Sequence, residues 1–295
     1  MLVDSIACAV AALANAMLVR AYDYNDAYLG QPSDMIPGVL AAGEVAHASG
    51  MQVLTAIALA YEIYGAFERS APRVKSGFDQ GTFMNVGVAL AAGKLWGLTP
   101  EQLGHAASLA LAPNMPLGVS RWGELSMMKG CATAFSVRNG VFAAMLAKEG
   151  FTSSAEPYAG IYGLQHITGA FDLRLPLDPG GQRVVEFAYI KPIPAENNTI
   201  GIDIATGYEV HLADESKYDP KTRESADHGL PYILARALVD GGITLDTYTP
   251  ERIADPSIRP LMRKIRVHAS AEPGLGIMTC TVPATRSITA CDTPL

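Results

Sequence analysis

Residues 127–150 read MMKGCATAFSVRNGVFAAMLAKEG, the longest uninterrupted helical pattern in the chain. Alanine and methionine favour a helix throughout this stretch, and Gly150 is the kind of residue that ends one. The stretch is apolar on nearly every face, so the helix must be buried among other helices or in a subunit interface. A buried helix needs neighbours that cover it, and the sequence therefore predicts a helical domain.

The residues before this stretch continue the helical pattern. The apolar run from Leu2 to Val19 lacks a basic start and is interrupted by Asp4 and Asn15, so it predicts a buried helix and not an export signal or a membrane span. Local start and stop signals predict more helices: one capped by Ser33 that runs toward Ala48, Met51 to Phe67, Thr82 to Trp96 ending at Gly97, and one that starts at Thr99-Pro100-Glu101.

The composition changes near residues 173–181, where Pro176, Pro179, Gly180 and Gly181 predict a linker. Strand-like runs follow at 183–191, 200–212 and 264–268, with one helix at about 231–239 between them. We therefore expect a mainly α protein: a large helical domain over residues 1–181, then a smaller α+β lid domain over 182–270. Residues 271–295 are rich in Thr and Pro and are assigned to a divergent tail.

Overall composition narrows the function classes. The chain has 295 residues and a net charge of −7, with 49% hydrophobic and 17% charged residues. This balance is typical of a globular protein with a large core, and it provides no basic patch for nucleic acid. The four cysteines form no C-x-x-C pair and the six histidines show no zinc-binding spacing. We expect reduced thiols in the cytoplasm and no metal site.

Four segments together resemble the MmgE/PrpD family. These segments are 20–34 (RAYDYNDAYLGQPSD), 126–142 (SMMKGCATAFSVRNGVF), 190–196 (IKPIPAE) and 221–232 (KTRESADHGLPY), which occur in the family's order. The resemblance implies a large helical domain, a smaller α+β lid, a site in the cleft between them and a homodimer. It also implies a cofactor-free lyase, similar to 2-methylcitrate dehydratase or cis-aconitate decarboxylase, that acts on a small di- or tricarboxylic acid.

The resemblance, joined to side-chain chemistry, points to four catalytic candidates. Asp23 occupies the family's first acidic position and is the candidate for proton transfer, although it could instead tie its loop by accepting backbone N–H bonds. Histidine as a residue type titrates near neutral pH, which makes His228 a candidate proton carrier, and Tyr232 would share its face if a helix begins that early. Lys129 lies in an apolar helix, where a lysine needs an anionic partner.

Six further residues are candidates for holding the carboxylates of a substrate. Arginine suits this task because its guanidinium forms two parallel hydrogen bonds to a carboxylate, while glutamine can donate but cannot move a proton. The candidates are Arg20, Gln31, Gln80, Arg121, Lys191 and Arg223.

The chain also departs from the family pattern. Gln31 and Gln80 stand where the family has histidines, Ala27 stands where it has a threonine, and no histidine follows Glu196. Several helical segments of the family also have no counterpart in the sequence. Three other hypotheses therefore stay open: a catalytically impaired remnant with only a structural or oligomerising role, an epimerase that uses the same alpha-proton abstraction, and an unrelated helical binding module.

Overall fold

The computed structural model describes residues 2–71, 76–173, 180–181, 183–191, 193–195 and 213–265. The chain forms two compact units, which are described separately. The first comprises Met1–Arg121 with Met127–Lys191, and the second comprises Trp122–Ser126 with Pro192–Leu295.

The first unit is a helical assembly built around a long central helix, Met128–Lys148. Its helices are α1 (Leu2–Arg20), α2 (Ile36–Val45), α3 (Gly50–Ser70), α4 (Met84–Leu95), α5 (Pro100–Leu111), α6 (Met128–Lys148), α7 (Leu164–Thr168) and α8 (Val184–Phe187). Helix α6 packs against α1, α4 and α5, as its apolar sequence predicts. An added Cβ at Gly140 would lie 2.5 Å from the Asn85 carbonyl oxygen, so glycine is what lets α4 and α6 approach this closely.

Local capping chemistry sets several helix ends where the sequence predicts them. Ser49 and Gln52 form a capping box at the start of α3, and Thr99 and Gln102 form another at the start of α5. Gly97 and Gly150 have φ angles of +69° and +87°, which end α4 and α6. The helix predictions for these segments are confirmed.

In the described part of the chain one helix, α3, has the length and hydropathy of a membrane span. Half of its most apolar window is buried inside the protein. Tyr64 and Phe67 on α3 belong to the core of the first unit. This burial indicates a core helix, in agreement with the sequence analysis.

The predicted Ser33 cap is wrong. Residues Pro32–Met35 form a 3₁₀ turn, and α2 begins at Ile36 without a side-chain cap. The Ser33 hydroxyl instead accepts a hydrogen bond from the Asp26 backbone N–H at 3.3 Å. The hydroxyl that was expected to cap the helix therefore binds the preceding loop.

The strand predicted over 183–191 is interrupted by a short helix. Residues Val184–Phe187 form α8, whose first backbone N–H donates to the Glu62 carboxylate on α3 at 2.6 Å. Within this segment, β2 (Tyr189–Ile190) forms a strand, which pairs antiparallel with β1 (Asp26–Ala27). These contacts attach the segment to the first unit, which includes residues up to Lys191.

The described part of the second unit is also helical. It contains α9 (Arg223–Asp227), α10 (Leu230–Asp240), α11 (Pro250–Ala254) and α12 (Arg259–Met262). Its core includes Tyr232, Tyr248, Ile258 and Met262. Helix α10 confirms the prediction for 231–239, while the run at 200–212 and most of that at 264–268 lie outside the described residues. The mainly α class, with a large helical domain followed by a smaller one, is confirmed.

Candidate active site

The loop after α1 carries a buried carboxylate between two cations. Asp23 is 1% exposed and has a φ angle of +53°, a left-handed conformation that aspartate tolerates better than most residues. Its Oδ1 lies 3.5 Å from Nη2 of Arg20, the last residue of α1, and its Oδ2 lies 3.0 Å from Nζ of Lys191, which follows β2. Helix α1 and the β1–β2 pair thus bring three predicted site residues together.

Arg20 is shared between two buried carboxylates. Its Nη1 lies 3.7 Å from Oδ2 of Asp34, whose Oδ1 accepts a 2.7 Å hydrogen bond from the Asn25 side chain. Burial raises the pKa of Asp34, and the Arg20 charge and the neighbouring Thr133 hydroxyl oppose that shift. In this buried cluster each charged side chain therefore depends on its neighbouring partner for stabilisation.

A second aspartate fixes this loop to the core. Asp26 accepts hydrogen bonds from the Ser33 backbone at 2.8 Å and from the Tyr61 hydroxyl at 2.7 Å. Burial and the neighbouring Asp26 charge raise the pKa of Tyr61, which keeps the phenol protonated as a donor. Asp26 thus does the loop-tying work that was an alternative for Asp23, and it leaves Asp23 facing cations.

The two glutamines at the family's histidine positions are in contact. The Gln80 amide donates a hydrogen bond to the Gln31 side-chain oxygen, and both residues are buried. A Cβ at Gly30 would lie 2.0 Å from the Tyr64 hydroxyl oxygen and 3.3 Å from Gln80 Oε1. The glycine therefore allows these polar groups to meet, but neither amide can act as an acid or base.

Arg121 is held by a protein carboxylate. Its Nε lies 2.5 Å from Asp79 Oδ2 and its Nη2 donates to Asp79 Oδ1 at 3.3 Å. Asp79 Oδ1 also accepts from the Gly81 backbone N–H at 2.9 Å, at the start of the turn that carries Gln80. Arg121 is therefore placed to support this turn.

The remaining candidates occupy other positions. Lys129 is 3% exposed in the first turn of α6 in the first unit. In the second unit, Arg223 begins α9, and the fully buried Tyr232 donates its hydroxyl to the Thr247 carbonyl oxygen at 2.7 Å. Burial raises the pKa of Tyr232 against the opposing Arg236 charge. His228 precedes α10, so the shared helix face expected for His228 and Tyr232 does not form.

Sequence reasoning missed part of this constellation. It did not include Asp34 among the candidates, whereas Asp34 is fully buried beside Arg20. It passed over Thr133 and over Asp227, whose Oδ1 lies 2.7 Å from Nδ1 of His228. The adjacent Asp-His pair was visible in the sequence, but the Asp34 environment depends on contacts distant along the chain. Within the described ranges, no cluster of three His, Cys, Asp or Glu side chains could hold a metal ion.

The fold and this cluster define a mainly helical protein of two units, with a buried set of carboxylates and cations in the first. The chain belongs to the MmgE/PrpD family: residues 4–173 match the MmgE/PrpD N-terminal domain, and residues 195–289 match the C-terminal domain. The second match extends well into residues 271–295, which the sequence analysis had separated as a divergent tail.

Named relatives include both dehydratases and decarboxylases. The chain is 29% identical to 2-methylcitrate dehydratase of Escherichia coli (strain K12), over 84% of this chain and 60% of the relative. It is 26% identical to an alkylcitrate dehydratase from a fungal species, over 82% and 56%. Against cis-aconitate decarboxylase of Aspergillus terreus it is 30% identical, over 48% and 31%. The chain spans about three fifths of the length of the dehydratases it matches.

Proposed function

We propose that the chain is a lyase that removes water or carbon dioxide from a small di- or tricarboxylic acid such as 2-methylcitrate or cis-aconitate. The observation that carries the proposal is the buried group of Arg20, Asp23 and Lys191, in which one carboxylate lies between two cations. The names of the relatives, two dehydratases and a decarboxylase, support the same reaction class.

Arg20 and Lys191 are suited to hold the carboxylates of such a substrate. Both are nearly fully buried, at 2% and 1% exposed, and a buried cation is stable only with an anionic partner. An incoming carboxylate would compete with Asp23 for these two cations. This competition would remove stabilisation from the Asp23 carboxylate and make it a stronger base at the moment the substrate is bound.

In the proposed dehydration, Asp23 takes the proton from the carbon next to a substrate carboxylate. The electron pair of that C–H bond forms the new double bond while the C–O bond of the hydroxyl breaks. The hydroxyl leaves as water after it takes a proton from an acid, for which we propose Lys191 or His228. The cations stabilise the negative charge that builds on the substrate carboxylate, so side chains supply every function and no cofactor is required.

The other candidates have supporting roles in this proposal. Lys129, Tyr232 and Arg223 remain predicted members of the site. We propose that Arg121 holds the turn that presents Gln80, and that Gln31 and Gln80 donate hydrogen bonds to the substrate without moving protons. A homodimer and a cytoplasmic location also remain predictions.

The test measures turnover of 2-methylcitrate, citrate, tartrate and cis-aconitate by the ultraviolet absorbance of the conjugated double bond and by mass spectrometry. Asp23→Asn is expected to lower kcat at least about 100-fold, because it removes the base and keeps the shape. Asp26→Asn is the matched control: it alters a buried aspartate of the same loop, and we expect lower thermal stability with turnover near that of the wild type.

A substitution at Tyr232 tests whether its hydroxyl acts in catalysis or only stabilises the fold. Tyr232→Phe removes the hydrogen bond to Thr247 and is expected to cost about 1 kcal/mol of stability. A large additional loss of kcat would support its predicted catalytic role. Folded wild-type protein without turnover of any acid in the panel would instead favour the impaired-remnant hypothesis, and exchange of the alpha hydrogen for deuterium without elimination would favour the epimerase.

A further inference from the structure

The junction between α9 and α10 contains a buried carboxylate–imidazole pair. Asp227 is the last residue of α9, and His228 follows it with φ −114° and ψ 15°. Asp227 Oδ1 lies 2.7 Å from His228 Nδ1, and the two residues are 3% and 7% exposed. The distance is that of a full hydrogen bond, and burial shields it from competition with water.

This geometry fixes which imidazole nitrogen carries the hydrogen. An ionised carboxylate can only accept a hydrogen bond, so the bond requires a hydrogen on Nδ1 of His228. In a neutral imidazole the lone pair then lies on Nε2. The nearby carboxylate also stabilises the positive charge that the ring gains when Nε2 takes up a proton.

The backbone on the α9 side of the pair is firmly held within the second unit. Thr222 caps α9 by accepting from the Ser225 backbone N–H at 3.1 Å and donates its hydroxyl to the Leu125 carbonyl oxygen at 2.6 Å. The Ser225 hydroxyl accepts from the Leu125 backbone N–H at 2.8 Å. A short helix fixed at this many points gives the carboxylate at its end a defined position.

We propose that Asp227 is a positioning residue that holds His228 as the Nδ1–H tautomer and so makes Nε2 the proton-exchanging atom of the lyase. This inference rests on the proposed function and takes His228, of the two acids proposed there, as the one that delivers a proton to the leaving hydroxyl. The proton moves from Nε2 of the imidazolium to the departing oxygen, and Asp227 stays ionised throughout the step. Asp227 itself contacts no reacting atom.

The first experiment reads the tautomer without any need for turnover. Nitrogen-15 NMR of the wild-type protein, at a pH where the imidazole is neutral, is expected to show Nδ1 protonated and Nε2 unprotonated in His228. The His228 signals are assigned by their loss in His228→Gln. Predominance of the Nε2–H tautomer in the wild type would overturn the inference, whatever the activity of the protein.

The second experiment connects the tautomer to catalysis. Asp227→Asn is expected to populate the Nε2–H tautomer and to lower kcat by about 100-fold to 10,000-fold, with a smaller change in KM. Asp246→Asn, an exposed aspartate of the same unit, is the control and should change neither readout. Unchanged kcat in a folded Asp227→Asn variant would also overturn the inference. Absence of turnover in the wild type would overturn the proposed function first, so the two failures are distinguishable.

Discussion

At the scale of single residues, burial affects the ionisation of Asp34 in the first unit. Asp34 is fully buried, and its pKa is raised because burial penalises the carboxylate more than Arg20 and Thr133 stabilise it. A raised pKa in the folded state means that folding favours the protonated acid. The associated stability is fully present below the unfolded value near 3.8 and is lost as the pH rises through the folded pKa.

An isosteric substitution isolates this contribution from those of all other groups. Asp34→Asn keeps the oxygen that accepts from Asn25 but cannot ionise. We expect the unfolding free energy of the variant, relative to that of the wild type, to rise as the pH increases above the unfolded value near 3.8 and to level off above the folded pKa of Asp34. Urea denaturation of both proteins across this range measures the difference. A difference independent of pH would show that Asp34 ionises as readily in the fold as in the unfolded chain.

At the scale of elements, the sequence predicts helix ends that are set by adjacent residues. It does not predict elements that are set by residues distant along the chain. The start of α5 and the ends of α4 and α6 depend on a cap and glycines that lie next to them in the sequence, and these were predicted. The region 183–191 was predicted as a strand because Val184 and Val185 favour extended backbone. The Glu62 carboxylate on α3, far away in the sequence, instead caps a short helix there.

The same distinction applies to the candidate site. Arg20, Asp23 and Lys191 were chosen from segment chemistry and resemblance, and the fold brings them into contact. Asp34 was not among the candidates because its environment is made by α1, α6 and the loop together, which no local pattern reveals.

The α4–α6 crossing gives a prediction at this scale. Gly140→Ala places a methyl group 2.5 Å from the Asn85 carbonyl oxygen and 3.2 Å from the Ala89 nitrogen, both backbone atoms that can move only with the helix. We expect a loss of about 1–3 kcal/mol in unfolding free energy, measured by chemical denaturation. Gly130→Ala, in the same helix with nothing within 4 Å, should be neutral or stabilise by up to about 1 kcal/mol. Equal effects of the two substitutions would contradict close packing at Gly140.

At the scale of the whole molecule, α1 presents two different faces. Cys8, Ala12 and Ala16 lie on its buried face. Ile6 and Val10 lie on the opposite side and are 53% and 56% exposed, and Leu18 continues this stripe at 69% exposed. Residues four apart stand above one another on a helix, and the exposed Ala14 lies between Val10 and Leu18, so these side chains form one continuous apolar strip. A strip of this kind on a folded protein favours association with another surface.

We propose that this strip contributes to the homodimer implied by the family resemblance, and a charge on it should therefore weaken self-association. Val10→Glu would bury a carboxylate in the interface without a partner, and we expect the dimer dissociation constant to rise at least about tenfold. Val10→Leu keeps the strip apolar and should leave the constant near the wild-type value. Sedimentation velocity across a dilution series measures the constant, and circular dichroism verifies that each variant retains its helices. If Val10→Glu dimerises as tightly as Val10→Leu, the interface lies elsewhere; if the wild type is monomeric at every concentration, the homodimer itself is excluded.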